Sequence, residues 1–161
     1  MKGELVVNDK EWFSHKCVEA TDEVENEQIV KSLYKALKEH PKGVGMAANQ
    51  LGYDKRIAVI LRKTDEDIVL INPVVVSVSK KTSKQIEGCL SFPDAIVATR
   101  RHSSITLQRQ PGCKEETFTG FDAVVIQHEL GHLDGKTMWD VEFKKKRSNF
   151  TPKKKKRKKR R

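Results

Sequence analysis

The chain has 161 residues, 37% hydrophobic and 34% charged, which is one domain's worth of chain with enough apolar content to bury a core. Its apolar runs fall far short of the ~20 residues needed to cross a bilayer, and the opening MKGELVVNDKEWF lacks the apolar segment of a secretory leader, so a cytoplasmic protein with no membrane partner is expected. The net charge of +10 sits at one end: residues 144–161 hold 13 of the 32 Lys and Arg, leaving 19 bases against 22 acids in residues 1–143, a net of −3.

The first predicted element is a helix over 23–40, where Val30, Leu33, Tyr34 and Leu37 fall at i, i+3, i+4 and i+7 and Pro41-Lys42-Gly43 breaks the run. GVGMAANQLG follows, too rich in small residues at its start for a regular element. KRIAVILR (55–62), IVLI (68–71) and VVVSVS (74–79) read as strands, being short, β-branched and separated by turn signals such as Asn72-Pro73. IEGCLSFPDA (86–95) reads as a bent, irregular segment, because Gly and Pro flank it. SITLQRQ (104–110) and ETFTG (116–120) read as a further strand pair around Pro111-Gly112. A second helix starts near Thr119 or Gly120 and ends at Gly135, with Phe121, Val124, Val125, His128 and His132 on one core-facing stripe. No internal repeat is visible. Beyond these elements the basic run 147–161 repels itself and cannot bury apolar surface, so it is expected to be disordered behind a domain spanning 1–146. The order of elements predicts an α+β domain: mostly antiparallel β-sheets around a metal-binding helix, with a short helix near the N-terminus.

QHELGH (127–132) carries H-E-x-x-H. On a helix His128 and His132 lie one above the other and can present two imidazoles to one ion, while Glu129 reaches a water on it. The bland alternative is two satisfied core histidines and a surface glutamate; burying two imidazoles without partners makes it the weaker one. A catalytic site of this type needs a third protein ligand. The extended pattern H-E-x-x-H-x-x-G-x-x-H is followed as far as Gly135, but Met138 stands where its last histidine would be, so the ligand must lie upstream. Cys89 is the best candidate, although a lone cysteine is ordinarily a small buried hydrophobe. Three cysteines (Cys17, Cys89, Cys113) without paired spacing argue against a disulfide framework and suit a reducing compartment.

GVGMAANQ (43–50), EGCLSFP (87–93) and QHELGH (127–132) resemble, in order and spacing, the three motifs of the peptide deformylases, GxGxAAxQ, EGCLSxP and QHExDH. The resemblance covers roughly residues 40–140. It implies metal ligands Cys89, His128 and His132, Glu129 as the catalytic acid/base, and Gln50 with the Leu90 N–H as donors to the formyl oxygen. It also implies Val44, Gly45 and Glu87 along the substrate cleft. The implied reaction is hydrolytic removal of formyl from the N-terminal formylmethionine of nascent peptides by a monomer holding one Fe2+, for which Zn2+, Ni2+ or Co2+ can substitute. Phe121, Val124 and Val125 would complete an apolar pocket with Val44, or belong to the core. The chain departs from the family at Gly131, where the motif has Asp, and at Ile96, where many relatives carry a basic residue.

KKKKRKKRR (153–161) reads either as a solubility tail or as a polycation that docks on the RNA of the ribosome through counterion release. Two other readings stand beside the deformylase one: an H-E-x-x-H zinc endopeptidase, disfavoured by Met138, and a non-catalytic RNA-binding protein with a structural, four-ligand metal.

Overall fold

The computed structural model describes residues 2–145, so the stretch 147–161 expected to be disordered lies outside the described residues. Helix α1 runs Glu23–Glu39, and the Asp22 side chain caps it by accepting the Glu25 N–H at 2.9 Å. Strands β1 (Gly45–Ala47), β2 (Ile57–Ile60) and β3 (Ile68–Ile71) form one antiparallel sheet, and a single helical turn, Ala48–Leu51, follows β1. Strand β4 (Val74–Val78) pairs with β7 (Ser104–Gln108), and β7 with β8 (Glu115–Thr119), as a second antiparallel sheet. Between them β5 (Thr82–Cys89) and β6 (Phe92–His102) form a long hairpin. Helix α2, Gly120–Leu133, carries H-E-x-x-H.

The central strand β2 is buried at all four positions, because each face is covered by a different helix. Ala58 and Ile60 pack with Val125, Ile126 and Leu130 of α2, while Ile57 and Val59 pack with Ile29, Leu33 and Leu37 of α1. Strand β1 pairs with β2 and thereby lies beside α2. Its small residues suit that position, since a Cβ on Gly45 would come within 2.8 Å of Val125 Cγ1 and of Glu129 Oε1.

Two expectations are corrected here. Residues 86–95 are not a loose bend: Cys89 ends β5 and pairs with Phe92 across a tight turn. The register shifts between Gly88 and Cys89, a bulge of the kind that re-aims a side chain at the end of a ladder. The stripe of α2 is not core-facing throughout either, because Phe121 is 66% exposed at the helix start.

Candidate metal centre and catalytic cleft

The hairpin turn and α2 bring Cys89, His128 and His132 together, with one ligand atom from each lying within 4.8 Å of the others. Cys89 Sγ is 3.4 Å from His132 Nε2. Ligand bonds of 2.0–2.3 Å in a tetrahedron imply edges of about 3.5 Å, so this sulfur and two imidazoles fit a single cation. His128 has its Nδ1 2.8 Å from Glu87 Oε1, which leaves Nε2 for the ion. Glu87 is buried and also accepts both arms of Arg101 at 2.7 Å and the Thr99 hydroxyl.

Electrostatics separates these groups. Burial alone would raise the Glu87 pKa, but hydrogen bonds from Arg101, His128 and Thr99 outweigh it and hold the carboxyl down at about 2. Burial would likewise lower His128, yet the Cys89 and Glu87 hydrogen bonds and the Glu129 charge push it up to about 10 in the metal-free protein. His132 is held well below the ordinary histidine range by burial, then by His128 and Arg101. A site that favours a proton on one imidazole, between a thiol and two carboxylates, is one in which a divalent cation can replace that proton.

A cleft of about 630 Å³ opens onto this cluster. Gln50, Glu87, Leu90, Val44, Gly45, Phe121, Val124 and Val125 all border it, together with Cys89, His128 and Glu129. Val125 is buried, whereas Val44 and Phe121 are exposed at the mouth. Gln50 is buried and its amide has a defined orientation: Oε1 accepts the Ala47 N–H at 2.9 Å, so Nε2 faces Ser91 Oγ at 3.1 Å and Cys89 Sγ at 3.7 Å. Glu129 is buried, and its Oε2 has no hydrogen-bond partner among the described residues. Burial raises its pKa to about 7, against the opposing pull of His128 and Arg101.

Sequence reasoning missed Arg101 and Thr99, which anchor Glu87, and Asn49, whose Nδ2 donates to the His132 carbonyl at 2.9 Å. Val97, Thr99 and Arg101 alternate and are all buried on one face of β6, but two of the three are polar, so their alternation gave no apolar signal. For Asn49 there was none either.

Comparison with known proteins agrees with the geometry. The family described as polypeptide deformylase matches residues 4–148. The chain belongs to the polypeptide deformylase family. It is 38% identical over 127 residues to peptide deformylase 1 of Vibrio vulnificus, covering 76% of this chain and 75% of that protein. It is 36% identical over 135 residues to the peptide deformylase of Aquifex aeolicus, covering 78% and 79%. The crystal structure of the Thermotoga maritima peptide deformylase superposes with a TM-score of 0.81 at 26% identity, covering 89% of this chain and 99% of that one.

Among polypeptide deformylases, the departures in this chain are tolerated by its fold. Gly131 lies within α2, and a Cβ there would meet nothing closer than Lys136 O at 3.6 Å, so no steric demand requires glycine. Ile96 is 78% exposed on β6 and is not among the residues that border the cleft. Met138, at the position of the absent third histidine, is buried with Phe13, Phe92 and Val97. The endopeptidase pattern is therefore replaced by core packing, and the sulfur of Cys89 completes the cluster instead.

Proposed function

We propose that the chain removes the formyl group from the N-terminal formylmethionine of newly made polypeptides, with one Fe2+ held by Cys89 Sγ and the Nε2 atoms of His128 and His132. The reaction is that of the polypeptide deformylase family, and one observation carries the assignment of residues. Three ligand atoms lie within 4.8 Å of one another, and Cys89 and His128 border the same cleft as a buried Glu129 whose Oε2 has no partner among the described residues. A cation in this position polarises a carbonyl oxygen and makes bound water more acidic, toward a pKa of ~7.

The chain's own residues supply the rest. Glu129, poised at about 7, takes a proton from the water that attacks the formyl carbon and returns it to the amine nitrogen as the C–N bond breaks. The products are formate and a free N-terminal methionine. Gln50 Nε2, aimed by its bond from Ala47, and the Leu90 N–H donate to the formyl oxygen as negative charge builds there. Val44, Phe121, Val124 and Val125 line the part of the cleft that takes the methionine side chain. Gly45 lets β1 lie close against Val125 and Glu129, and it borders the cleft where the substrate backbone runs beside β1.

The soft thiolate and two imidazoles suit Fe2+, and equally Zn2+, Ni2+ or Co2+. We assign the catalytic unit to residues 1–146, as a cytoplasmic monomer, with the basic run beyond it docking on ribosomal RNA. Deformylation of a formyl-Met peptide by metal-loaded protein tests the reading: Glu129→Ala loses the activity, and equal rates for the two proteins refute the mechanism. Metal analysis of anaerobically purified protein decides the ion.

A further inference from the structure

The two groups proposed as donors to the formyl oxygen come from different pieces of the fold. Gln50 belongs to the helical turn after β1, and Leu90 to the tip of the β5–β6 hairpin. Among the described residues no strand ladder joins the sheet of β1 to that hairpin. Donors that share one oxygen must still be held within about 0.5 Å of their working geometry.

The first residues of the chain bridge the two pieces. The Val6 N–H donates to the Gln50 carbonyl at 2.8 Å, and two residues on the Asn8 N–H donates to the Ser91 carbonyl, also at 2.8 Å. The Gly3 N–H adds a bond to the Leu51 carbonyl at 2.8 Å. Gln50 and Ser91 are buried, so each of their carbonyls needs a partner, and each finds it in this strap. Gln50 Nε2 in turn faces Ser91 Oγ at 3.1 Å. Val6, Gln50, Ser91 and Asn8 thus close a ring of bonds one residue away from the Leu90 N–H. Packing anchors the strap: Leu5 lies against the α1 core, and Val6 against the cluster of Phe13, Phe92 and Met138. Asn8 has a φ of 55°, a left-handed backbone that asparagine tolerates and β-branched residues avoid. Its side chain is exposed, makes no hydrogen bond among the described residues and does not border the cleft. What residue 8 contributes is therefore the direction of the backbone, which turns its N–H onto the hairpin tip.

We infer that residues 3–8 are a positioning strap for the oxyanion donors, and that the left-handed backbone at Asn8 sets the spacing between Gln50 and Leu90. The inference rests on the reading of those two groups as donors to the formyl oxygen. Its consequence is specific. Loosening the strap weakens the bonds that strengthen as charge builds in the transition state, while the pocket for the methionine side chain is untouched.

The experiment replaces Asn8 in the full, metal-loaded chain by Gly, Ala and Val and measures steady-state deformylation of a formyl-Met peptide, with kcat expressed per bound metal. The rates are expected to follow tolerance of a left-handed backbone. Asn8→Val lowers kcat at least about tenfold with KM within about twofold, Asn8→Ala falls between, and the conservative Asn8→Gly, which keeps the angle, restores the rate. Should Asn8→Val fail to fold, Asn8→Ala against Asn8→Gly carries the same comparison. Equal kcat per metal in every variant that folds overturns the inference, and so does a loss in Asn8→Gly as large as in Asn8→Ala. Amide hydrogen exchange of the parent protein gives a readout without turnover. The Val6 and Asn8 amides are expected to exchange at least about 100-fold more slowly than free-chain amides, and unprotected exchange removes the strap. A parent protein that fails to deformylate counts against the enzymatic reading alone, and the exchange rates then decide whether the strap exists.

Discussion

The Nδ1 of His128 lies 2.8 Å from Glu87 Oε1, so one buried carboxylate both sets the tautomer of a candidate ligand and neutralises Arg101. Glu87→Gln preserves the shape but cannot accept from His128, Thr99 and both arms of Arg101 together. Partners of this kind ordinarily change metal affinity by roughly 10–100-fold when removed. Breaking a buried ion pair from one side costs about 3–5 kcal/mol. Chelator competition and urea unfolding of the same variant are expected to show both losses. Metal affinity equal to that of the parent protein would separate Glu87 from the site.

The same carboxylate predicts how the metal-free protein responds to acid. Its folded pKa is about 2 against an ordinary value of 4.5, so the folded state binds the proton less readily than the unfolded chain. The resulting stability is fully present above pH 4.5 and is lost as pH falls toward 2, amounting to roughly 3 kcal/mol at most. Urea midpoints measured between neutral pH and pH 3 are expected to fall in the parent and to fall less in Glu87→Gln. Parallel curves would mean that other groups govern acid unfolding.

Gly45 is held by contact rather than by backbone conformation. A Cβ there would sit 2.8 Å from both Glu129 Oε1 and Val125 Cγ1, closer than real side chains approach. Val125 is packed in the core, so the Glu129 carboxylate is the group that must move. Gly45→Ala is expected to lower kcat by at least about 100-fold, the scale of a misplaced catalytic group, while the protein still binds its metal. Steady-state deformylation with metal content measured alongside checks this; near-normal kcat would show that Glu129 has slack.

The parts of the fold legible in sequence are those with an apolar periodicity. The stripe of α1 and the β-branched runs of β2, β3 and β4 appear where expected, to within one or two residues. The β5–β6 hairpin was invisible for a physical reason. Its inner face is filled by Glu87, Thr99 and Arg101, a polar network that supports His128, and so its buried side does not look buried. Strand β1 was missed because it is only three residues long and begins at Gly45, where the closeness of Glu129 and Val125 leaves no room for a side chain. Phe121 misled in the opposite direction: it continues the helical stripe but projects at the cleft mouth. The cluster itself was legible because H-E-x-x-H and a cysteine between glycine and proline are statements about chemistry that do not need the fold.

His132 is positioned differently from His128, through its backbone. Its Nδ1 has no hydrogen-bond partner among the described residues, and its ring lies 5.2 Å from that of Phe13. What fixes the last turn of α2 is a set of donors to its carbonyls: Asn49 Nδ2 to His132, and the Cys17 N–H and Arg56 guanidinium to Leu133, all at 2.9 Å. Asn49 is itself held, its own carbonyl accepting the Trp12 indole N–H at 2.7 Å. In Asn49→Leu the His132 carbonyl keeps its bond from the Gly135 N–H at 3.3 Å, so the loss of stability is modest, about 1–2 kcal/mol. The larger effect is expected at the metal. Affinity for Co2+ falls roughly tenfold and the visible absorption of the cobalt protein shifts, because the second imidazole no longer meets the sulfur at a set distance. A variant that loses the same stability with an unchanged cobalt spectrum would reduce Asn49 to ordinary packing.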